Sequence, residues 1–132
     1  MIRPGVGLVV LLTFAAEPAR ASDADAAADT AARARAGHFD AVTTIGCAQE
    51  RGEAPGPCTA RVARSGRSAT VVVTFPTGFA RRLLTRDGAF VKADATMSGS
   101  GRDTDWRAER RRHLIRVDDQ RYDLPDAFVF RD

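Results

Sequence analysis

The chain has 132 residues, with 20 basic and 17 acidic side chains and a formal net charge of +3. This length fits one domain, and the ordinary apolar and charged content excludes wholesale disorder. The positive excess is too small to indicate a nucleic-acid-binding protein, whose basic residues would also cluster on one face.

Residues 1–21 have the three parts of a secretory signal peptide. Arg3 supplies the positive start, residues 6–16 form an apolar run, and residues 19–21 give the A-x-A cleavage pattern. The run is shorter than the roughly 20 apolar residues that a membrane anchor needs. We therefore expect cleavage after Ala21, a periplasmic or secreted protein, and no membrane anchor after cleavage. The mature chain would carry 18 basic and 16 acidic residues.

The chain contains two cysteines, Cys47 and Cys58, separated by a segment rich in glycine and proline. In an oxidising compartment an even pair usually forms a bridge, so we predict a structural disulfide. The spacing matches neither a C-x-x-C redox site nor a haem attachment site. Two cysteines with His38 and His113 form no zinc-ligand pattern, and we expect no metal and no cofactor.

An alanine-rich segment, residues 22–37, precedes the first strand pattern. Its aspartates come early and its arginines late, which suits a helix dipole, and Gly37 could end such a helix. The segment has no large apolar residue with which to dock on a core. It therefore predicts a marginal helix or a disordered leader. The expected organisation is a signal peptide at 1–21, this leader at 22–37, and a β-rich domain at 38–132.

Short apolar or alternating segments bounded by turn residues follow from residue 38 to the end of the chain. This pattern predicts an all-β fold, a small antiparallel sandwich or barrel of seven or eight short strands. We interpret residues 126–130 as a last strand or a short helix. A polar, glycine-rich loop at 96–104 is expected to be the most mobile part. The predicted strands lie at 38–45, 58–64, 69–75, 79–86, 89–95, 105–109, 114–117 and 121–124.

Two features of the sequence are candidate binding elements. Arg110, Arg111 and Arg112 form the only basic run, which is either a solvated hairpin turn or an anion-recognition tip for phosphate, acidic glycan or an acidic protein loop. Trp106 is the only tryptophan, and on an exposed face it could stack on a sugar or peptide. It shares its strand face with Ala108, which favours a place in the core instead.

Signatures of an enzyme are missing. Gly99-Ser100-Gly101 lacks the G-x-S-x-G spacing of hydrolases, and no glycine loop precedes a helix as a phosphate site requires. The adjacent Asp118 and Asp119 indicate turn chemistry rather than an acid–base pair. We therefore expect a protein that is not an enzyme. An unrecognised catalytic site would need His38 or His113 beside a carboxylate in a cleft.

The sequence also resembles two known families. It is similar to a family of short exported bacterial proteins of unknown function over nearly all of residues 37–130, through segments at 37–41, 47–49, 58, 62–66, 69–74, 115–117 and 121–127. In size, export, disulfide and antiparallel strands it resembles the periplasmic β-barrel inhibitors of C-type lysozyme. Their inhibitory loop has a Ser-Gly-x-x-Tyr pattern, whereas residues 100–104 here are Ser-Gly-Arg-Asp-Thr.

These observations lead to one functional expectation and one alternative. We expect an exported, non-enzymatic protein that binds a component of the cell envelope, either a protein or a glycan. The alternative, implied by the second resemblance, is a periplasmic inhibitor of a lysozyme-like hydrolase.

Overall fold

The structure is a computed structural model that describes residues 4–13, 22–96 and 99–130. The cleavage site predicted at Ala21 lies outside these residues, and residues 4–13 have no regular secondary structure. Two helices are present, α1 (Asp23–Arg35) and α2 (Asp126–Val129). The strands are β1 (Ala41–Ala48), β2 (Gly56–Ser65), β3 (Ser68–Thr74), β4 (Ala80–Arg86), β5 (Ala89–Ala93), β6 (Thr104–Glu109), β7 (Arg112–Val117) and β8 (Gln120–Pro125).

The eight strands form one antiparallel sheet in the order β5-β4-β3-β2-β1-β8-β7-β6. The sheet curls into a nearly closed barrel, with β5 and β6 as its two edges. The predicted all-β antiparallel fold is confirmed, and of the two architectures it is the barrel-like one. Eight strands are present where seven or eight were expected. Four of their connections, 66–67, 87–88, 110–111 and 118–119, are two-residue turns, which only antiparallel neighbours permit.

The core lies inside the barrel and is built from alternate residues of each strand. On β3 the inward residues Val71 and Val73 are fully buried, as is Leu83, which lies opposite Val71 on β4. Burial of such a side chain contributes about 1.5–3 kcal/mol, so this inner layer supplies most of the stability.

A disulfide between Cys47 and Cys58 closes the β1–β2 hairpin, as the sequence predicts. The two Cα atoms lie 5.9 Å apart, and both cysteines are buried in the inner core. Residues 49–55 between the strands make the turn that brings the cysteines together.

Helix α1 packs on the outer face of β2, β3 and β4, which differs from the expectation that this segment has nothing to dock with. Its buried face consists of Ala27, Thr30 and Ala34, spaced so that they fall on one side of the helix. Thr30 Oγ1 lies 2.9 Å from Thr70 Oγ1 on β3. The interface uses small side chains that allow a close approach, a pattern that a search for large apolar anchors does not detect.

Because neighbouring strands are antiparallel, successive connections lie at opposite ends of the barrel. One end holds the connections 49–55, 75–79, 94–103 and 118–119. The other holds the turns 66–67, 87–88 and 110–111 together with α2, whose Val129 and the following Phe130 are buried and close that end. Of the two alternatives expected for residues 126–130, the structure has the short helix, over Asp126–Val129.

Candidate functional site

The turn between β6 and β7 consists of Arg110 and Arg111, both of which are exposed. Glu109 pairs with Arg112 across the turn, which leaves these two residues as its centre. Both have left-handed backbone angles, with φ of 51° and 62°. Two-residue hairpin turns of this kind favour glycine, which has no Cβ, and asparagine, whose short polar side chain tolerates positive φ better than other side chains do. The backbone conformation of this turn therefore does not favour arginine at either position.

The third member of the basic run, Arg112, lies in strand β7 and not in the turn. Its Nε donates to the Asp123 carboxylate on β8, 2.5 Å away. The run predicted as one binding element is therefore divided between an exposed turn and a strand residue that already has an acidic partner.

Two further arginines from the β2–β3 hairpin lie against aromatic rings at the same end of the barrel. The Arg67 guanidinium carbon is 4.5 Å from the centroid of Phe130, and that of Arg64 is 5.6 Å from the centroid of Phe128. Arg64 Nε also donates to the Phe128 carbonyl at 2.8 Å. Such contacts restrict the guanidinium groups without neutralising their charge.

Together these residues define a basic surface that we call the arginine end, comprising Arg64, Arg67, Arg86, Arg110 and Arg111. Among the residues that the structure describes, none of the five guanidinium groups has a carboxylate oxygen within 4.0 Å. The three hairpins that carry them, residues 64–67, 86–88 and 109–112, contain six arginines and two acidic residues.

The acidic residues near the arginine end are mostly engaged with other partners. Asp40 accepts from the Arg64 backbone N–H at 2.7 Å and from Arg33 at 3.0 Å, and these donors lower the pKa of Asp40 below its usual value. Glu109 pairs with Arg107, and Asp126 bonds to His113. The positive charge of the arginine end is thus left available to an external anion.

Trp106 does not belong to this surface. It faces inward from β6, is half-buried against the core, and donates from Nε1 to His113 Nδ1 at 3.1 Å. Its ring stacks on that of His113 with 6.2 Å between centroids. The core interpretation of Trp106 fits this position, although Ala108 on the same face is exposed.

The buried His113 has a carboxylate neighbour, the arrangement that a catalytic site would require. Its Nε2 lies 2.7 Å from Asp126 Oδ1. Because an indole N–H can only donate, Nδ1 must accept from Trp106, and Nε2 then carries the proton donated to Asp126. Both ring nitrogens are occupied, so His113 as placed ties β6 and β7 to α2 and has no nitrogen free for a nucleophile. His38, the other histidine, is exposed.

An ion pair with a buried arginine closes the opposite end of the barrel, and no pattern in the sequence predicts it. Arg81 on β4 is 1% exposed, and its Nη2 lies 3.3 Å from Asp118 in the β7–β8 turn. Its Nη1 donates to the Asp94 carbonyl at 2.8 Å. Beside it, burial raises the pKa of Tyr122. Alternation along β4 predicts that Arg81 and Arg82 lie on opposite faces of the strand. It does not predict which of the two enters the core.

We expected the glycine-rich loop at 96–104 to be mobile. Its described part instead contacts the ion pair of Arg81 and Asp118. Gly101 has φ of +69° and donates its N–H to Asp118 Oδ2 at 3.0 Å. A Cβ at Gly101 would lie 2.5 Å from Arg81 Nη1 and 2.6 Å from the Asp94 carbonyl oxygen. Residues 97 and 98 of this loop lie outside the described part of the chain.

The outer face of β6, β7, β8 and β1 is concave and forms a hollow of about 430 Å³. Leu114, Ala48 and Gly46 supply apolar floor, while Arg107, Asp105 and other residues of both charges surround it. Because the two signs alternate along this face, it has no marked electrostatic preference for one class of ligand.

Within residues 4–13, 22–96 and 99–130, no cluster of three or more histidine, cysteine or acidic side chains is placed to hold a metal ion. Over the same residues, no helix combines the length and the apolar character that crossing a membrane requires. Comparison of the chain with protein-family models, with curated proteins and with solved structures gives no match.

Proposed function

We propose that the protein is an exported, non-enzymatic module that binds an anionic component of the cell envelope through the arginine end. The observation that carries the proposal is the set of five arginines at one end of the barrel without carboxylate partners among the described residues. A folded domain usually disperses or pairs such charges, because like charges that stay close together repel.

The backbone of the β6–β7 turn supports a role for its arginines outside folding. Residues held at positive φ with a Cβ cost of the order of 1 kcal/mol each, and such strain is concentrated at functional sites. Asn-Gly at positions 110 and 111 would satisfy the turn without that cost. We attribute arginine at positions 110 and 111 to the anion that the guanidinium groups bind.

Arginine chemistry fits a phosphate, sulfate or carboxylate group as the ligand. The planar guanidinium presents parallel N–H donors that match two oxygens of such a group at once. Arg64 and Arg67 are already held by Phe128 and Phe130. Since they lose less rotamer freedom on binding, more of the interaction is retained as affinity.

A retention experiment with cell-envelope extract tests the proposal. The tag should precede Ser22, because the opposite end of the 13-residue helix α1, at Arg33, contacts Arg64, whereas Phe130 near the end of the sequence lies against Arg67. We expect envelope components with acidic groups to be retained by the wild type and lost from R110N/R111G. The matched control R51S/R102S removes two arginines at the opposite end and should retain them. Equal retention by all three proteins would refute the arginine end as the binding surface.

The second candidate function is inhibition of a lysozyme-like hydrolase, and one observation favours it. Ser100 is exposed beside Gly101, which is fixed against Arg81 and Asp118, so the loop is presented in a defined conformation. This loop lies at the other end of the barrel from the arginine end. Inhibition of C-type lysozyme that is lost in R51S/R102S but kept in R110N/R111G would support this function instead.

A further inference from the structure

The arginines of the arginine end are spread over a surface and do not converge on one point. They come from three separate hairpins, at 64–67, 86–88 and 109–112. None of them lines the concave face of β6, β7, β8 and β1 described above. A single small anion is normally held by donors that converge in a pocket. Donors on separate turns suit an extended array of negative charges instead.

Helix α2 lies between these hairpins and links them. The Asp126 N–H donates to the Arg111 carbonyl at 2.9 Å, and the Phe128 carbonyl accepts from Arg64. Ala127 is exposed and Phe128 is half-buried, so apolar surface lies among the arginines. An aromatic ring surrounded by cationic side chains is typical of surfaces that rest in the headgroup region of a lipid bilayer.

The two ends of the barrel differ in how their charges are paired. The connections at the far end contain six acidic residues, and four of them, Asp94, Asp103, Asp118 and Asp119, lie within 4.0 Å of an arginine nitrogen. We call this the acidic end, and its charges are largely balanced. A planar anionic surface therefore attracts the arginine end but not the acidic end, which gives a defined orientation. A flexible acidic polymer would gain much less from this axial difference in charge, because it could wrap around the sides.

We propose that the arginine end docks reversibly on an anionic lipid surface, with α2 facing the headgroups and the acidic end pointing away. This inference rests on the proposed function and names its partner. The contact is peripheral and electrostatic, and no part of the barrel inserts as an anchor. Each arginine near an anionic bilayer strengthens partition about five-fold, so the exposed pair in the β6–β7 turn accounts for about thirty-fold.

Sedimentation with lipid vesicles tests this inference on the protein purified from the periplasm of an expressing cell. Vesicles of phosphatidylcholine with about one-third phosphatidylglycerol should bind the wild type, and pure phosphatidylcholine vesicles should not. We expect R110N/R111G to bind about thirty-fold more weakly and R51S/R102S to bind as well as wild type or better. Binding should vanish when the salt is raised to about 1 M, where the Debye length falls to about 3 Å.

A second arm separates failure of this inference from failure of the proposed function. It measures binding of soluble inorganic pyrophosphate and of a sulfated polysaccharide to the same three proteins. Failure to sediment with the anionic vesicles, or equal sedimentation by the two variants, overturns lipid docking. If R110N/R111G then still loses binding to a soluble anion, the partner is a glycan or phosphate ligand and the proposed function stands. If no anion binds, both proposals fall.

Discussion

The guanidinium group of Arg81 lies 3.3 Å from the carboxylate of Asp118 and joins β4 to the β7–β8 turn. The two edge strands β5 and β6 do not pair with each other, so this contact closes the barrel where backbone hydrogen bonds do not. The charge on Arg81 is fully buried, which makes its partner important for stability.

Replacement of Asp118 with asparagine should destabilise the fold by about 3 kcal/mol, because it leaves a buried guanidinium without a counter-charge. Asparagine tolerates the left-handed φ of 52° at this position, so the change isolates the charge. The midpoint of urea unfolding measures the effect. The matched variant D119N, in the same turn but exposed, should leave the midpoint unchanged. A stable D118N protein would mean that the ion pair does not hold the barrel closed.

Gly101→Ala should cost distinctly more stability than Gly52→Ala. Both glycines have positive φ, 69° and 77°, so both substitutions carry backbone strain of about 1–2 kcal/mol. Only at Gly101 would the new Cβ also meet Arg81 and the Asp94 carbonyl, whereas nothing lies within 4 Å at Gly52. Thermal unfolding of the two variants gives the difference directly. Equal losses would show that the loop at Gly101 can move away from Arg81.

Removal of the disulfide with C47A/C58A should lower the free energy of unfolding by about 3 kcal/mol, since the bridge closes a short loop in the unfolded chain. The barrel should still form, because the eight strands and the inner core do not depend on the bridge. Circular dichroism during heating would show a lower melting temperature with an unchanged native spectrum. An unfolded variant at room temperature would contradict this prediction.

Acid should weaken the contact between α1 and the barrel through Asp40. The Arg64 N–H and the Arg33 guanidinium hold the pKa of Asp40 below its ordinary value of 3.8. A carboxyl group with a lowered folded-state pKa stabilises the fold above that ordinary value, and the stabilisation is lost as the pH falls through the lower pKa. The variant D40N should therefore be less stable than wild type at neutral pH and nearly equal to it near pH 2. A constant difference across this range would contradict the assignment.

The variant R110N/R111G should be more stable than wild type by about 1 kcal/mol, because Asn-Gly relieves the strain of two arginines at positive φ. The same variant is expected to lose anion binding. A gain in stability coupled to a loss of binding distinguishes a functional turn from an accidental one. Urea unfolding measures the gain in stability. Loss of stability would show that the arginines contribute to the fold itself.

The barrel and the disulfide follow from local signals in the sequence. Alternating β-branched segments, two-residue turns such as Asp87-Gly88, and a cysteine pair around a glycine-proline segment each constrain structure within about ten residues. Helix α1 illustrates what such signals miss. Its Thr30 contacts Thr70, forty residues away in the chain, and Ala27 and Ala34 are buried on the same side of the helix. No local pattern encodes that partner.

The candidate site was predictable only in part. The basic run drew attention to Arg110 and Arg111, but whether an arginine has an acidic partner depends on neighbouring strands. Arg112 pairs with Asp123 on the neighbouring strand β8, while Arg67 of the β2–β3 turn lies over the ring of Phe130, which follows α2. These pairings are set by register and by the path of α2. The sequence shows the charges, and only the three-dimensional structure shows which of them remain unpaired.

Mapping of amide chemical shifts during titration with a sulfated polysaccharide, an extended array of negative charges, tests the central claim most directly. We expect shifts concentrated at residues 64–67, 86–88, 109–112 and 126–130, reduced in R110N/R111G and suppressed by salt. Shifts concentrated at residues 49–55 and 99–104, or no shifts at all, would contradict binding of anions at the arginine end.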